Sequence, residues 1–165
     1  MFVVNDVVNY SVTGICRVEN IAQQEIAGEN REFYVLKPVF DDNSTVMVPI
    51  ANEQLVSRMY SILSKEEINA IIKEMPQIEE IWLEDDRLRY EKYKGILSSG
   101  NRREVVGVIK ALYRHREGQA VKGRKLRTTD ERVMRDAERL LYSEIAYILG
   151  MKQDEVLQFI KKELS

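Results

Sequence analysis

The sequence predicts an α+β fold in two modules, a small antiparallel β-barrel or sheet over residues 1–60 followed by an all-α bundle over 61–165. Three observations predict it. The first sixty residues carry short runs rich in Val, Ile, Tyr and Phe separated by turn residues; from Ser64 onward the apolar residues recur at helical spacing; and the two patterns do not alternate, which argues against a βαβ arrangement. A hydrophobic content of 44% over 165 residues is enough for packed cores and too much for a disordered chain.

The β runs are 7–10, 14–21, 32–40 and 45–50, with turn signals at Thr13-Gly14, Ala27-Gly28-Glu29-Asn30 and Asp41-Asp42-Asn43-Ser44. The first helix is expected over 64–75, because Ser64 and Glu67 form a capping box, Ile68, Ile71 and Ile72 follow at helical spacing, and Met75-Pro76 ends the run. Further helices are expected over 84–98, ended near Gly100; 101–117, opened by Asn101 with Glu104; 129–149, opened by Thr128 or Thr129 and closed at Gly150; and 153–163. Residues 118–127, GQAVKGRKLR, read as a basic loop. The segment after Gly150 superficially resembles the second half of a helix-turn-helix, but Asp154 and Glu155 at its start would repel phosphates, so it reads as packing.

A net charge of −2 excludes a generic polycation, but it is unevenly spread. Residues 1–60 carry 4 basic and 8 acidic side chains, whereas 101–139 carry 12 and 6, a local +6 that points to a polyanion-binding surface. Within 101–117, Val105, Val108, Ile109 and Leu112 share one face, and Arg103, Lys110 and Arg114 form a stripe opposite it with no acid in line except Glu117. These three and the loop cations Lys122, Arg124, Lys125 and Arg127 are expected to contact phosphate. In the next helix Arg132, Arg135 and Arg139 turn away from the apolar face, with Glu131–Arg135 and Arg132–Asp136 spaced for pairing.

Catalysis needs a nucleophile beside a base or a cluster of metal ligands, and the sequence offers neither. His115 lies between Arg114 and Arg116, which oppose its protonation and a bound cation; it reads as an exposed helix residue or a phosphate donor. Cys16 reads as a buried thiol, and Glu84, Asp85 and Asp86 as helix N-terminal acids. No enzyme activity, cofactor or metal is expected. The first twelve residues lack a basic n-region and carry Asp6, and no apolar run reaches the length of a membrane helix, so a cytoplasmic monomer without membrane contact is expected. Trp82, the single tryptophan, lies in the connection 77–84, where it would either anchor the connection in a core or stand on an exposed corner and wedge against a base step.

The order of several features resembles one family across nearly the whole chain. Phe2, Asp6, Val8 and Tyr10, then Gly14, 32–37 and 46–49, are similar to the polymerase-interacting module of the CarD family, which also occurs in transcription-repair coupling factors. Trp82, Arg89-Tyr90, 97–100, 105–113 and 130–141 with Glu144 are similar, in order, to that family's helical domain. The resemblance implies a Tudor-like β domain that binds the β subunit of bacterial RNA polymerase and a helical domain that contacts promoter DNA at the upstream edge of the bubble. It also implies that Trp82 wedges into the minor groove and stabilises the open complex, with Arg89 and the basic residues above, Arg132 included, on the DNA. The polymerase contact would fall on Gln24, Met47, Val48 and Pro49. Gln24 and Met47 stand where better-known members place arginines, so this interface would rely less on charge and more on an apolar or strand-edge contact. The Trp82–Tyr90 spacing is about one helical turn longer than the family's, and 118–127 resembles an insertion.

Overall fold

A computed structural model describes residues 1–164. Five strands, β1 (Val7–Tyr10), β2 (Gly14–Ile26), β3 (Glu29–Pro38), β4 (Val46–Pro49) and β5 (Met59–Ser61), form one antiparallel sheet in the order β4-β3-β2-β1-β5. The short helix α1 (Glu53–Val56) interrupts it, and the helices α2 (Lys65–Glu74), α3 (Asp86–Ser99), α4 (Arg102–Val121), α5 (Thr128–Leu149) and α6 (Val156–Leu164) follow. The α+β architecture in two modules is therefore as the sequence predicts.

The β2–β3 hairpin is longer than the apolar runs suggest. β2 continues through the polar residues 22–26 and turns at Ala27-Gly28, both with positive φ (54° and 82°), the backbone twist a two-residue hairpin favours. Alternation along these strands buries Val8, Cys16, Val18, Tyr34, Leu36, Val48 and Met59 in one small core. Burial pushes the Cys16 thiol up to about 12, so it remains protonated at neutral pH.

In the helical module the capping box forms: Ser64 Oγ accepts from Glu67 N at 3.1 Å and Glu67 Oε1 accepts from Ser64 N at 3.2 Å. Ile68, Ile71 and Ile72 of α2 pack with Val105, Val108, Ile109 and Leu112 of α4 and Val133, Ala137, Leu140, Leu141 and Ile145 of α5. Val156 and Ile160 of α6 complete this core, consistent with a packing helix. The helix expected to stop at residue 117 instead runs through Gly118 to Val121 and is terminated by Gly123, at φ 70°, with Arg124 N donating to Gln119 O at 2.8 Å. Thr128 lies in the first turn of α5 rather than capping it.

The two modules are docked through polar groups rather than merely joined. Asn9 Nδ2 donates to Leu140 O at 3.0 Å, Ser11 Oγ to Leu97 O at 3.1 Å, and Ile15 N to Ser143 Oγ at 3.1 Å. Glu144, fully buried on α5, accepts from Arg102 Nε (2.9 Å) and Nη2 (2.7 Å) and from Leu63 N (3.1 Å). Arg102 also donates to Ser61 O (3.0 Å) and lies over the Tyr60 ring, whose hydroxyl donates to Ser98 O at 2.6 Å. Gly100 makes this seam possible: its φ is 77°, and a Cβ there would stand 2.7 Å from the Tyr60 ring. One buried charge pair thus joins the end of the sheet to the starts of α2 and α4 and the middle of α5.

Among the described residues no helix is long and apolar enough to cross a membrane, and no group of three or more His, Cys, Asp or Glu is placed to hold a metal ion.

Candidate functional site

Trp82 is set by the chain that leads to it. After α2 the backbone crosses α4, where Lys110 Nζ donates to Met75 O (2.8 Å), Pro76 O (3.4 Å) and Ile78 O (2.6 Å), tying the connection down onto α4. Ile81 N then donates to Gly107 O at 3.2 Å. Only a glycine allows this approach, because a Cβ at Gly107 would lie 2.7 Å from Glu79 O. Tyr93 OH, its pKa raised by burial, donates to Ile81 O at 2.6 Å. The residue before Trp82 is therefore fixed from two helices.

The indole itself is half-buried. The Arg89 guanidinium carbon lies 4.2 Å over its centroid, the His115 ring stacks at 4.3 Å with a 32° tilt, and Trp82 Nε1 donates to Glu84 Oε1 at 3.1 Å. Arg89 is only 2% exposed. It donates from Nε to Asp130 Oδ1 (3.1 Å), from Nη2 to Asp130 Oδ2 (2.7 Å) and Asp86 Oδ1 (2.7 Å), and from Nη1 to Leu83 O (2.8 Å). Burial opposes its charge, but the hydrogen bonds to Asp130 and Asp86 more than offset this, so its pKa is raised. Beside this clasp a groove of about 360 Å³ is lined by Trp82, His115, Gln119 and Lys122. Leu83 and Leu88, on either side of the Asp85 N-cap of α3, are exposed, which makes the corner apolar as well as aromatic.

The basic residues divide into two sets. Arg89 is a correction: it is a buried partner of two carboxylates and of the indole, and has no face left for DNA. Lys110 is likewise occupied by carbonyls. Arg103 pairs with Glu74 (2.6 Å), Arg114 with Glu80 (3.3 Å) and Arg127 with Asp86, so the stripe that lacks acids along its own helix finds them on α2 and in the crossing connection. The hydrogen bonds from Arg103 lower the pKa of Glu74. By contrast Lys122, Arg124, Lys125 and Arg132 are exposed, and among the described residues none holds an ion pair. In α5 the pairing is Arg139 with Asp136 at 3.9 Å, not Glu131–Arg135 or Arg132–Asp136. His115 is neither exposed nor free, but part of the tryptophan's setting.

On the β module, Gln24 and Met47 lie on different strands, yet Gln24 Nε2 approaches Met47 Sδ to 4.0 Å on the exposed surface. Met47 belongs to β4, the edge strand, and is 38% exposed. Val48 turns its side chain into the core at 0% exposure, so on this edge strand its position presents backbone and not a side chain; Pro49 is half-buried. Sequence reasoning missed Leu83, Leu88 and His115 as parts of the corner. Only the proximity of the first two to Trp82 could have signalled them.

Two family models match this arrangement, one for each module. The model described as the CarD-like/TRCF RID domain matches residues 2–60, and that of the CarD C-terminal domain matches residues 71–161. The first match covers the β module with its β4 edge, and the second covers Trp82 and the helices that hold it. The chain belongs to the CarD family of RNA-polymerase-interacting transcription regulators, which are non-catalytic binding proteins.

Proposed function

We propose that the protein binds the β subunit of bacterial RNA polymerase through the β4 edge of its β module, residues 1–60, and contacts promoter DNA at the upstream edge of the bubble through residues 61–165. Trp82 wedges at the DNA fork and stabilises the open complex. The observation that carries this reading is the clasp on Trp82: an indole held by Arg89 and His115, on a corner with exposed leucines, is pre-organised for contact with a base step. Docking of the modules through Glu144 and Arg102 supports it too, because a wedge stabilises DNA only if its polymerase anchor holds it at a fixed distance.

A second reading, a protein-interaction adaptor without DNA contact, is favoured by the pairing of Arg103 and Arg114 with carboxylates and the engagement of Lys110 by backbone carbonyls. Retention of the chain on core polymerase, with and without a forked promoter duplex, separates the two: the proposal expects DNA to increase retention, the adaptor does not. For the anchor, Met47→Glu places a carboxylate on an edge strand of an already acidic module. It is expected to weaken polymerase retention by about tenfold, roughly 1.4 kcal/mol, with unchanged circular dichroism. Retention equal to wild type would remove β4 from the interface.

A further inference from the structure

The free edge of the sheet carries an oxidisable side chain. Of the six methionines, Met59 is buried in the core of the β module, Met75 and Met134 are buried in the helical core, and Met151 is half-buried against it. Met47 on β4 is exposed, as is Met1 at the start of the chain. Oxidants reach sulfur where solvent does, so within the strands and helices Met47 is the accessible thioether.

The backbone at Met47 is as exposed as its side chain. Ile50 N donates to Glu32 O at 3.0 Å, which sets the phase of the β3–β4 ladder: Val46 and Val48, opposite Leu36 and Tyr34, turn their N–H and C=O groups to β3, and Met47 turns its own outward. Two residues on, Pro49 has no N–H, and its carbonyl already accepts from Asn52 N at 3.1 Å. An added strand therefore finds a backbone donor and acceptor together on β4 at Met47, directly beside the thioether.

We propose that Met47 is a sulfoxidation site for hydroperoxides, and that its oxidation releases the β module from polymerase. The sulfur lone pair takes the terminal peroxide oxygen, the S–O bond forming as the O–O bond breaks. Sulfur is oxidised by two electrons, and the hydrogen of the transferred oxygen passes to the leaving oxygen, which departs as water or an alcohol. Gln24 Nε2, 4.0 Å from Met47 Sδ, is placed to donate to the new oxygen, a far stronger acceptor than the thioether, so the oxidised side chain has a partner in the free chain. Against polymerase the same oxygen sets a dipole where the edge offers an apolar side chain, and its desolvation opposes binding. This inference rests on the assignment of β4 to polymerase above.

The test treats the full chain with graded hydrogen peroxide, quenches with catalase, locates the added oxygen by peptide mass mapping and then titrates core polymerase. Met47 is expected to be modified at peroxide exposures that leave Met59, Met75 and Met134 intact, and affinity for polymerase to fall at least about fivefold. Met47→Leu, whatever its own affinity, is expected to keep it through the same treatment. Polymerase bound before the peroxide is expected to shield Met47. The proposal is overturned if wild type oxidised at Met47 binds as the untreated chain does, or if Met47→Leu loses affinity equally. Oxidation of Met47 at the same rate in the complex as in the free chain, or later than that of the buried methionines, overturns it as well. No retention of the untreated wild type would instead defeat the polymerase-binding reading itself.

Discussion

Glu144→Ala is expected to lower the unfolding free energy by about 3–5 kcal/mol, read from urea midpoints at constant m-value. Glu144 is fully buried, and its two oxygens take three hydrogen bonds: two from Arg102 and one from Leu63 N. Removing it leaves a guanidinium whose side chain is 10% exposed without a counter-charge, and a backbone donor without an acceptor. The bonds to Ser61 O and Gly100 O remain but neutralise nothing. Glu144→Gln keeps an acceptor for Leu63 N and is expected to cost less, about 1.5–3 kcal/mol. If Glu144→Ala melted within 1 kcal/mol of wild type, by the same scale, this pair would not be what holds sheet to helices.

Arg89→Met is expected to act on stability and on the site together. It leaves Asp130, with a side chain 5% exposed, as an unpaired buried carboxylate, at a cost of about 3–5 kcal/mol. It also takes the cation from the face of Trp82 and the donor from Leu83 O. Because Trp82 is the single tryptophan, its fluorescence reports the site alone. Acrylamide quenching should rise in folded Arg89→Met, and restoring the charge pattern with Arg89→Lys should recover little of the effect, since an ammonium cannot make the fork to both Asp130 oxygens. Quenching that did not change would mean that His115 and Glu84 suffice to hold the indole.

What could be read in the sequence was local. The Ser64 capping box, the Asn101 cap and the Val105, Val108, Ile109 and Leu112 face depend on residues within a few positions of each other, and all are present. The two modules and the family followed from the order of such features. What escaped reading depends on partners far along the chain. Arg89 reads as a surface cation until Asp130 is brought to it from 41 positions away, and Arg103 reads as unpaired until α2 delivers Glu74 from 29 positions away. The three-residue strand β5 has no alternation to display, and α4 passes through Gly118 because Gly123 provides the stop. His115 is defined only by the crossing of the connection over α4.

The proposal that this family member stabilises promoter opening depends on the indole. The most direct measurement is the lifetime of the polymerase open complex after competitor challenge, with wild-type protein, with Trp82→Ala and with none, at protein concentrations where both variants saturate polymerase. Stacking of an aromatic ring on a base is worth about 1–3 kcal/mol, so Trp82→Ala is expected to shorten the lifetime at least about fivefold relative to wild type while polymerase retention is unchanged. A lifetime equal to that with wild-type protein, at equal polymerase occupancy, would contradict the wedge and leave Trp82 as the anchor of a connection.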